Sequence, residues 1–258
     1  MTLHAAFRRE LAEHRLNRFL HVHLALCACV GSLPLFTPDA AQRSAAAWVL
    51  QAVLYCLSLS SLLLGLSAAH GDADEFPVLF TQPVSRAMWV AGKALALIAI
   101  LAPASALLVL PTVLTTALTA SLAFVACAAA AVCAVFALLG LAVGFWVRDE
   151  VRGLLLAVAF WFGLLFGMDL LLLALSGSPW VQGHVTAWML PIMLNPLSAL
   201  RVTMIFSLEQ TAPASVGGGA LAKWWLGHGG LWLVLMLSVW AVVTFVAGVA
   251  GAKRRLDL

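Results

Sequence analysis

The stretch WVLQAVLYCLSLSSLLLGLSAA, residues 48–69, decides the fold class because it is apolar at nearly every position. A helix that crosses the hydrocarbon core of a membrane needs roughly 20 apolar residues in a row. Backbone within lipid must hydrogen-bond to itself, so a span is a helix or part of a closed barrel. A barrel strand would alternate apolar and polar residues, which this stretch does not do. It therefore predicts a transmembrane α-helix.

The rest of the chain has the same character, since 64% of its 258 residues are hydrophobic and 10% are charged. That balance is the reverse of a soluble globular surface. We expect an all-α membrane protein with six transmembrane helices in a single domain, residues 1–258. The six predicted spans are residues 19–36, 46–69, 88–112, 120–146, 153–176 and 228–250. Two prolines, Pro103 and Pro111, predict a bend in the third span.

Residues 1–18 precede the first span and repeat apolar side chains at four-residue spacing, at Leu3, Phe7 and Leu11. Charged residues occupy the other faces of the same helix. This pattern predicts an amphipathic helix that lies in the membrane interface. The alternative is a solvated basic N-terminus.

The placement of lysine and arginine predicts the orientation of the spans, because short cytoplasmic loops are enriched in both. If the N-terminus is cytoplasmic, three of the 14 lysine and arginine residues fall outside, namely Arg43, Arg201 and Lys223. This asymmetry predicts that both termini are cytoplasmic. It also places the long segment 177–227 on the outer side.

The predicted cytoplasmic loop between spans two and three is longer than a reversal of chain direction requires. It opens with acidic residues, continues with apolar residues and closes with PVSR at residues 83–86. An apolar patch flanked by charge suits docking onto a soluble partner. A re-entrant or interfacial turn is the alternative.

Two features of the outer half of the chain are not explained by lipid solubility. Asn195 followed by Pro196 predicts a helix N-cap with proline at the first helical position. Apolar residues at helical spacing then continue to Leu208, which predicts short outer helices and an amphipathic helix on the outer face. Asp169 is an acidic residue within a predicted span, which suggests either a substrate or gating role or a structural polar contact.

Sequence motifs for several enzyme classes are absent, including Walker-type phosphate loops, HExxH, GxSxG and the dinucleotide fingerprint. The cysteines lie in apolar runs, and the spacing of Cys27 and Cys29 is poor geometry for a shared metal. We therefore expect a non-catalytic membrane subunit with no metal site, no cofactor of its own and no nucleic-acid partner. Its energy source would be another chain or an ion gradient.

Three short motifs occur together in the chain: QPVSR at 82–86 followed by GK at 92–93, MDLLLL at 168–173, and LNP at 194–196 followed by LR at 200–201. With the six predicted spans, they resemble the permease subunits of type-2 ABC exporters, most closely the NosY-type permeases of NosDFY complexes. The resemblance implies a homodimer in the lipid of the bacterial inner membrane. It also implies a NosF-like ABC ATPase that binds ATP and Mg, and a periplasmic NosD-like protein. The implied role is maturation of the copper sites of nitrous oxide reductase.

The same resemblance implies roles for particular residues. A coupling helix would lie within residues 72–86. Because proline is not tolerated deep inside a helix, this coupling helix either starts near Pro77 or is shorter than usual. The ATPase-coupling residues would be Asp72, Asp74, Glu75, Phe76, Phe80, Pro83 and Arg86. The periplasmic contacts would be Asn195, Pro196, Arg201 and Met204, with Asp169 as a possible gating residue.

Two other functions are open at this point. One is a generic type-2 exporter permease for a lipid, haem-like or drug substrate. The other is a membrane anchor or quinone-site subunit of a redox complex. A dedicated periplasmic partner would favour the NosY-type function, and paired histidines on facing spans would favour the redox complex.

Overall fold

The computed structural model describes residues 3–14, 17–36, 48–71, 85–115, 120–208 and 220–256. These described residues are almost entirely helical and contain no strand. The helices, numbered here in chain order, are α1 Leu3–His14, α2 Arg18–Ser32, α3 Trp48–Gly71, α4 Arg86–Ala106, α5 Leu110–Thr115, α6 Ala120–Trp146, α7 Glu150–Leu175, α8 Pro179–Gly183, α9 Val185–Leu194, α10 Pro196–Leu208 and α11 Ala220–Leu256.

Within the part of the chain that the structure describes, five helices are by length and composition able to cross a membrane: Trp48–Gly71, Arg86–Ala106, Leu122–Trp146, Glu150–Leu175 and Lys223–Arg254. The all-α fold and several candidate spans are thus confirmed. At the predicted first span the structure has the shorter helix α2 and a 3-10 turn, Leu33–Phe36. The sixth span, like the orientation of all six, stays a prediction.

Two of the candidate spans contain a π-helical turn that the apolar pattern did not indicate. One is Val53–Leu57 in α3 and the other is Gly163–Gly167 in α7. A π turn is rare and often occurs at functional sites.

The chain divides into two compact units, which are described separately. Unit 1 comprises Met1–Val158 and Ala241–Leu258, and unit 2 comprises Ala159–Trp240.

The core of unit 1 is the contact between α3 and α6, where glycines let the two backbones touch. A Cβ at Gly65 would collide with the carbonyl oxygen of Ala137, and one at Gly140 would collide with that of Leu62. A Cβ at Gly144 would lie 2.5 Å from the Cβ of Ala69. Gly140 and Gly144, which lie four residues apart on α6, therefore permit the close helix approach that is typical of this spacing.

In unit 1 the third predicted span, 88–112, is divided into two helices. Pro103 lies inside α4, which ends at Ala106, and α5 begins at Leu110 with Pro111 next to it. Proline has no amide hydrogen to donate to the preceding turn, and the helix is interrupted at residues 107–109, between the two rings.

Within the predicted N-terminal helix, residues 1–18, the structure has helix α1, whose packing face differs from the apolar stripe. The buried residues of α1 are Ala6, Glu10 and His14, again at four-residue spacing. Ala6 packs where α4 has a glycine, so that a Cβ at Gly92 would lie 2.7 Å from that of Ala6. On the apolar stripe Leu3 is exposed, whereas Phe7 and Leu11 are partly buried. The placement of α1 in the membrane interface stays a prediction.

Unit 2 contains the end of α7, the helices α8 to α10 and the beginning of α11. Indole groups of α11 hold the end of α9, because Trp232 Nε1 donates to the carbonyl oxygen of Met193 at 3.0 Å and Trp240 Nε1 donates to that of Leu194 at 2.9 Å. The buried apolar residues of this unit are Leu165, Leu197, Ala199, Leu200, Met204, Trp225, Leu233, Met236 and Leu237.

Candidate functional site

The predicted ATPase-coupling segment lies mostly outside the described residues. Those outside are Asp72, Asp74, Glu75, Phe76, Phe80 and Pro83. Arg86 is described at the first position of α4, where its Nη1 donates to the carbonyl oxygen of Lys253 at 3.5 Å. The structure does show how the two flanking helices, α3 ending at Gly71 and α4 beginning at Arg86, are held.

A buried ion pair connects three helices beside this segment. Lys93 Nζ of α4 lies 2.6 Å from Glu10 Oε2 of α1 and donates to the carbonyl oxygen of Ala68 in α3 at 3.1 Å. The two charged side chains are 1% and 2% exposed. The ring of Trp89, one turn earlier in α4, lies 5.1 Å from the ammonium. This is the Glu10–Lys93 cluster.

The partners in this cluster follow from helix geometry. Ala68 lies in the last described turn of α3. The partial negative charge at a helix C-terminus favours a nearby cation. The Lys93 ammonium is therefore favourably placed beside the end of α3, while the Glu10 carboxylate compensates its charge.

The end of α3 has a second attachment, made by His70. Its Nε2 lies 3.0 Å from the carbonyl oxygen of Val147, and it donates there because a carbonyl can only accept. Gly153 leaves room for the ring, since a Cβ at that position would lie 3.0 Å from the His70 Cε1. The hydrogen bonds of Lys93 and His70 therefore hold the last described turn of α3 against α4 and against the start of the 147–153 segment.

In unit 2, the predicted N-cap of α10 is confirmed. The Asn195 Oδ1 accepts from the backbone amides of Leu197 at 3.0 Å and Ser198 at 3.4 Å. Its Nδ2 donates to the carbonyl oxygen of Leu164 at 2.6 Å. Leu164 lies in the π turn of α7, where the regular hydrogen-bond pattern is interrupted. One side chain thus starts α10 and attaches it to α7.

A second attachment joins the same two helices. Arg201 Nη1 of α10 lies 2.6 Å from Asp169 Oδ2 of α7, and the two side chains are 26% and 48% exposed. The sequence suggested separate roles for these residues, and the structure places them in one ion pair. Of the two alternatives for Asp169, a structural polar contact is therefore present, and a gating role would act through that contact.

The predicted periplasmic contacts differ in accessibility. Asn195, Pro196 and Met204 are buried within unit 2, whereas Arg201 is partly exposed. Any direct contact with a partner is therefore expected at Arg201, with the other three residues holding α10 in place. Partner binding itself stays a prediction.

The Asp169–Arg201 pair and the Glu10–Lys93 pair differ in the free energy that is lost when the pair is broken. The Asp169–Arg201 pair is partly exposed, and where such a pair faces water it stabilises a fold by about 0–1 kcal/mol. Removing one partner of a buried pair, such as Glu10–Lys93, costs about 3–5 kcal/mol because the other charge is left uncompensated. The first arrangement suits a contact that opens and closes, and the second suits a permanent joint.

Several of these contacts are not indicated by any sequence motif. Lys93 was counted with the solvated cytoplasmic charges that set the orientation, yet it is buried. A possible signal is its position within an apolar run, AGKALALIAIL at residues 91–101. Among the residues that the structure describes, no group of three or more histidine, cysteine, aspartate or glutamate side chains could hold a metal ion.

Comparison with known proteins adds no identification: no protein-family model and no curated protein matched the chain.

Proposed function

We propose that this chain is the permease subunit of a type-2 ABC exporter, which couples ATP hydrolysis by a separate ATPase to movement at the outer face of the membrane. The observation that carries the proposal is the two-point attachment of α10 to α7. The buried amide of Asn195 holds one end of α10, and the exposed Asp169–Arg201 pair holds a later turn. An inert membrane anchor has no need of a helix held firmly at one end and weakly further along.

The proposed mechanism uses the continuity of α7. This helix runs from Glu150 to Leu175, so its displacement would reach the carboxylate of Asp169 along one backbone. Such a shift would strain or open the pair with Arg201, while Asn195 keeps α10 attached to the π turn. The guanidinium of Arg201 would then become available to a partner on the outer side.

The partners and the biological role are proposed from the resemblance. They are a second copy of the chain, a NosF-like ATPase on the cytoplasmic side and a NosD-like protein on the periplasmic side. The role is maturation of the copper sites of nitrous oxide reductase. In this proposal the chain spans the inner membrane six times with both termini in the cytoplasm.

Affinity purification of the tagged chain in mild detergent, with mass-spectrometric identification of the co-purifying chains, tests the class. We expect an ABC ATPase and a periplasmic protein. A generic exporter would bring the ATPase without a periplasmic partner. Co-purification of redox subunits, with a haem absorption band, would overturn the proposal.

Charge reversal at Asp74 and Glu75 is expected to weaken the ATPase interaction, because an acidic patch suits a complementary basic surface. The variant Asp74→Lys/Glu75→Lys should lose co-purification of the ATPase and its stimulated activity. The matched control reverses two exposed acids elsewhere, in Glu13→Lys/Glu150→Lys. Equal ATPase recovery with both variants would contradict docking at residues 72–86.

Neutralising Asp169 is expected to uncouple the outer face without unfolding the chain. Asp169→Asn removes an exposed ion pair, so thermal stability should change little. Stimulation of the ATPase by the periplasmic partner should fall about fivefold or more, the usual lower range for coupling between distant sites. The reversed pair Asp169→Arg/Arg201→Asp should recover part of that stimulation. Stimulation that is unchanged in Asp169→Asn would exclude this pair from the mechanism.

A further inference from the structure

We infer that the end of α6 and the last turns of α11 bind the headgroup of an anionic phospholipid, with Lys253 and Arg254 contacting its phosphate. The acyl chains of this lipid lie along the exposed apolar face of α11. The inference requires that α6 and α11 cross the membrane, and it is independent of the partners and the role proposed above.

Three of the candidate spans have an end at this place in unit 1. The spans Leu122–Trp146 and Lys223–Arg254 end here, and the span Arg86–Ala106 begins here. Arg86 Nη1 donates to the carbonyl oxygen of Lys253 at 3.5 Å, which connects the start of α4 to the end of α11. Tryptophan and basic residues at the ends of spans are typical of the level of the lipid headgroups. This end of unit 1 therefore suits contact with the headgroups of one leaflet.

The indole of Trp146 positions Arg254. Its Nε1 donates to the carbonyl oxygen of Ala247 at 2.8 Å, and its ring lies against Gly251, where a Cβ would be 2.6 Å from the indole Cδ1. The Arg254 guanidinium lies over the same ring, 5.3 Å from its centroid. A cation is attracted to the face of an indole by the quadrupole of the ring. Because the ring has no net charge, the guanidinium is held in place without being neutralised.

The positive charge of Lys253 and Arg254 is not compensated by a carboxylate among the described residues. Both side chains are exposed, and neither takes part in an ion pair with a described aspartate or glutamate. The C-terminus of a helix provides about half of a negative charge, which is less than the two positive charges present. Lysine and arginine are ordinary ligands of phosphate groups. An anion with a phosphate group therefore suits this end of α11.

The exposed apolar face of α11 favours a lipid over a soluble anion. Val242 and Val246 are 61% and 58% exposed. Val246 precedes Lys253 by seven residues, close to two helical turns, so the two side chains lie on the same face. A lysine at the end of such a face places its stem along the acyl chains and its ammonium among the headgroups. Basic sites between helix ends at the membrane surface are typical for anionic headgroups. A phospholipid supplies both the phosphate and the apolar chains, whereas a soluble anion would leave the valines uncovered.

The experiment measures lipid binding to the purified full chain in detergent, followed by native mass spectrometry. The chain is titrated with phosphatidylglycerol, which is anionic, and with phosphatidylcholine, which is zwitterionic. The variant Lys253→Gln/Arg254→Gln removes two positive charges. The matched control, Arg8→Gln/Arg18→Gln, removes two exposed positive charges from α1 and α2, including a guanidinium that lies 5.4 Å from the centroid of the Phe19 ring.

We expect the parent chain to prefer phosphatidylglycerol over phosphatidylcholine. Lys253→Gln/Arg254→Gln should bind phosphatidylglycerol about tenfold or more weakly, because each lysine or arginine near an anionic surface contributes about fivefold to binding. The control should keep the parent affinity, and Lys253→Arg/Arg254→Lys, which retains both charges, should keep most of it. An equal loss in the control would mean that lipid is attracted by positive charge in general, and it would overturn the inference. The absence of a preference in the parent chain, as for a surface that binds a soluble partner, would overturn it as well.

Two further measurements keep the inference testable. Trp146→Leu retains every charge but removes the ring beneath Arg254, so a smaller loss of phosphatidylglycerol affinity is expected. If the double variant does not fold, Lys253→Gln alone should bind about fivefold more weakly. Unchanged affinity in both Trp146→Leu and Lys253→Gln would contradict the inference. Inorganic phosphate should not displace the lipid, and displacement at equal concentration would assign the site to free phosphate instead.

Discussion

Replacing Gly140 with alanine should destabilise the chain by about 2 kcal/mol or more, whereas the same change at Gly163 should be neutral or stabilising by up to about 1 kcal/mol. At Gly140 the added methyl group would collide with the carbonyl oxygen of Leu62 and lie 2.9 Å from the amide nitrogen of Leu66. Both are backbone atoms, which cannot move aside as a flexible side chain would. At Gly163 a Cβ would enter open space, with nothing beyond the adjacent backbone of its own helix within 4 Å.

The two substitutions are expected to change the free energy of unfolding in opposite directions. In a helix, alanine is intrinsically favoured over glycine by about 1 kcal/mol, so only a steric conflict reverses the effect. The ten tryptophans provide a fluorescence signal for denaturant unfolding of the detergent-solubilised chain. Gly65→Ala should behave like Gly140→Ala, because it faces the carbonyl oxygen of Ala137 across the same contact. Equal stability of Gly140→Ala and Gly163→Ala would mean that α3 and α6 are not in close contact.

Replacing Asn195 with alanine should cost about 2–4 kcal/mol in the stability of unit 2. Loss of an N-cap costs about 1 kcal/mol, and loss of the hydrogen bond to the part-buried carbonyl of Leu164 costs up to about 1–3 kcal/mol. Asn195 supplies both, since it accepts from the first amides of α10 and donates to Leu164 in the π turn. Hydrogen exchange of the α10 amides, measured by mass spectrometry, would report the unfolding of unit 2.

A conservative variant divides the two contributions. Asn195→Ser retains a capping oxygen but is too short to reach Leu164, so its loss should be intermediate. Asn17→Ala is the matched control on another helix, where Asn17 accepts from the amide of Phe19 at 2.9 Å and donates to Ser67 at 3.0 Å. It should affect α2 and leave the exchange of α10 unchanged. Parent-like exchange of α10 in Asn195→Ala would contradict the attachment to α7.

The parts of this fold that follow from hydrophobicity were predictable. Continuous apolar runs predicted the long helices, because lipid-soluble backbone has few alternatives to a helix. The N-cap at Asn195 was predictable because the geometry of a helix start depends on the local residue pair. The interruption at Pro103 and Pro111 was predictable for the same reason.

Contacts between distant residues were not predictable from one sequence. The pairs Gly140–Gly144 and Gly163–Gly167 have the same spacing, yet the first lies against α3 and the second has open space around it. From the sequence alone, Lys93 looks like any other cytoplasmic lysine. Its partner, Glu10, is found only when the position of α1 is known. Both π turns depend on hydrogen-bond geometry, which hydrophobicity does not encode.

The π turn in α7 amounts to a one-residue insertion in a helix that is otherwise regular. Each residue of an α-helix advances about 100° around the axis, so one extra residue rotates everything that follows by about a quarter of a revolution. The residues before Gly163 and those from Met168 onward therefore follow two different angular registers. Asp169 belongs to the second register, and its alignment with Arg201 is an angular setting made by the insertion. If the inserted residue were deleted and the rest of the helix kept, the Asp169 carboxylate would point toward another neighbour.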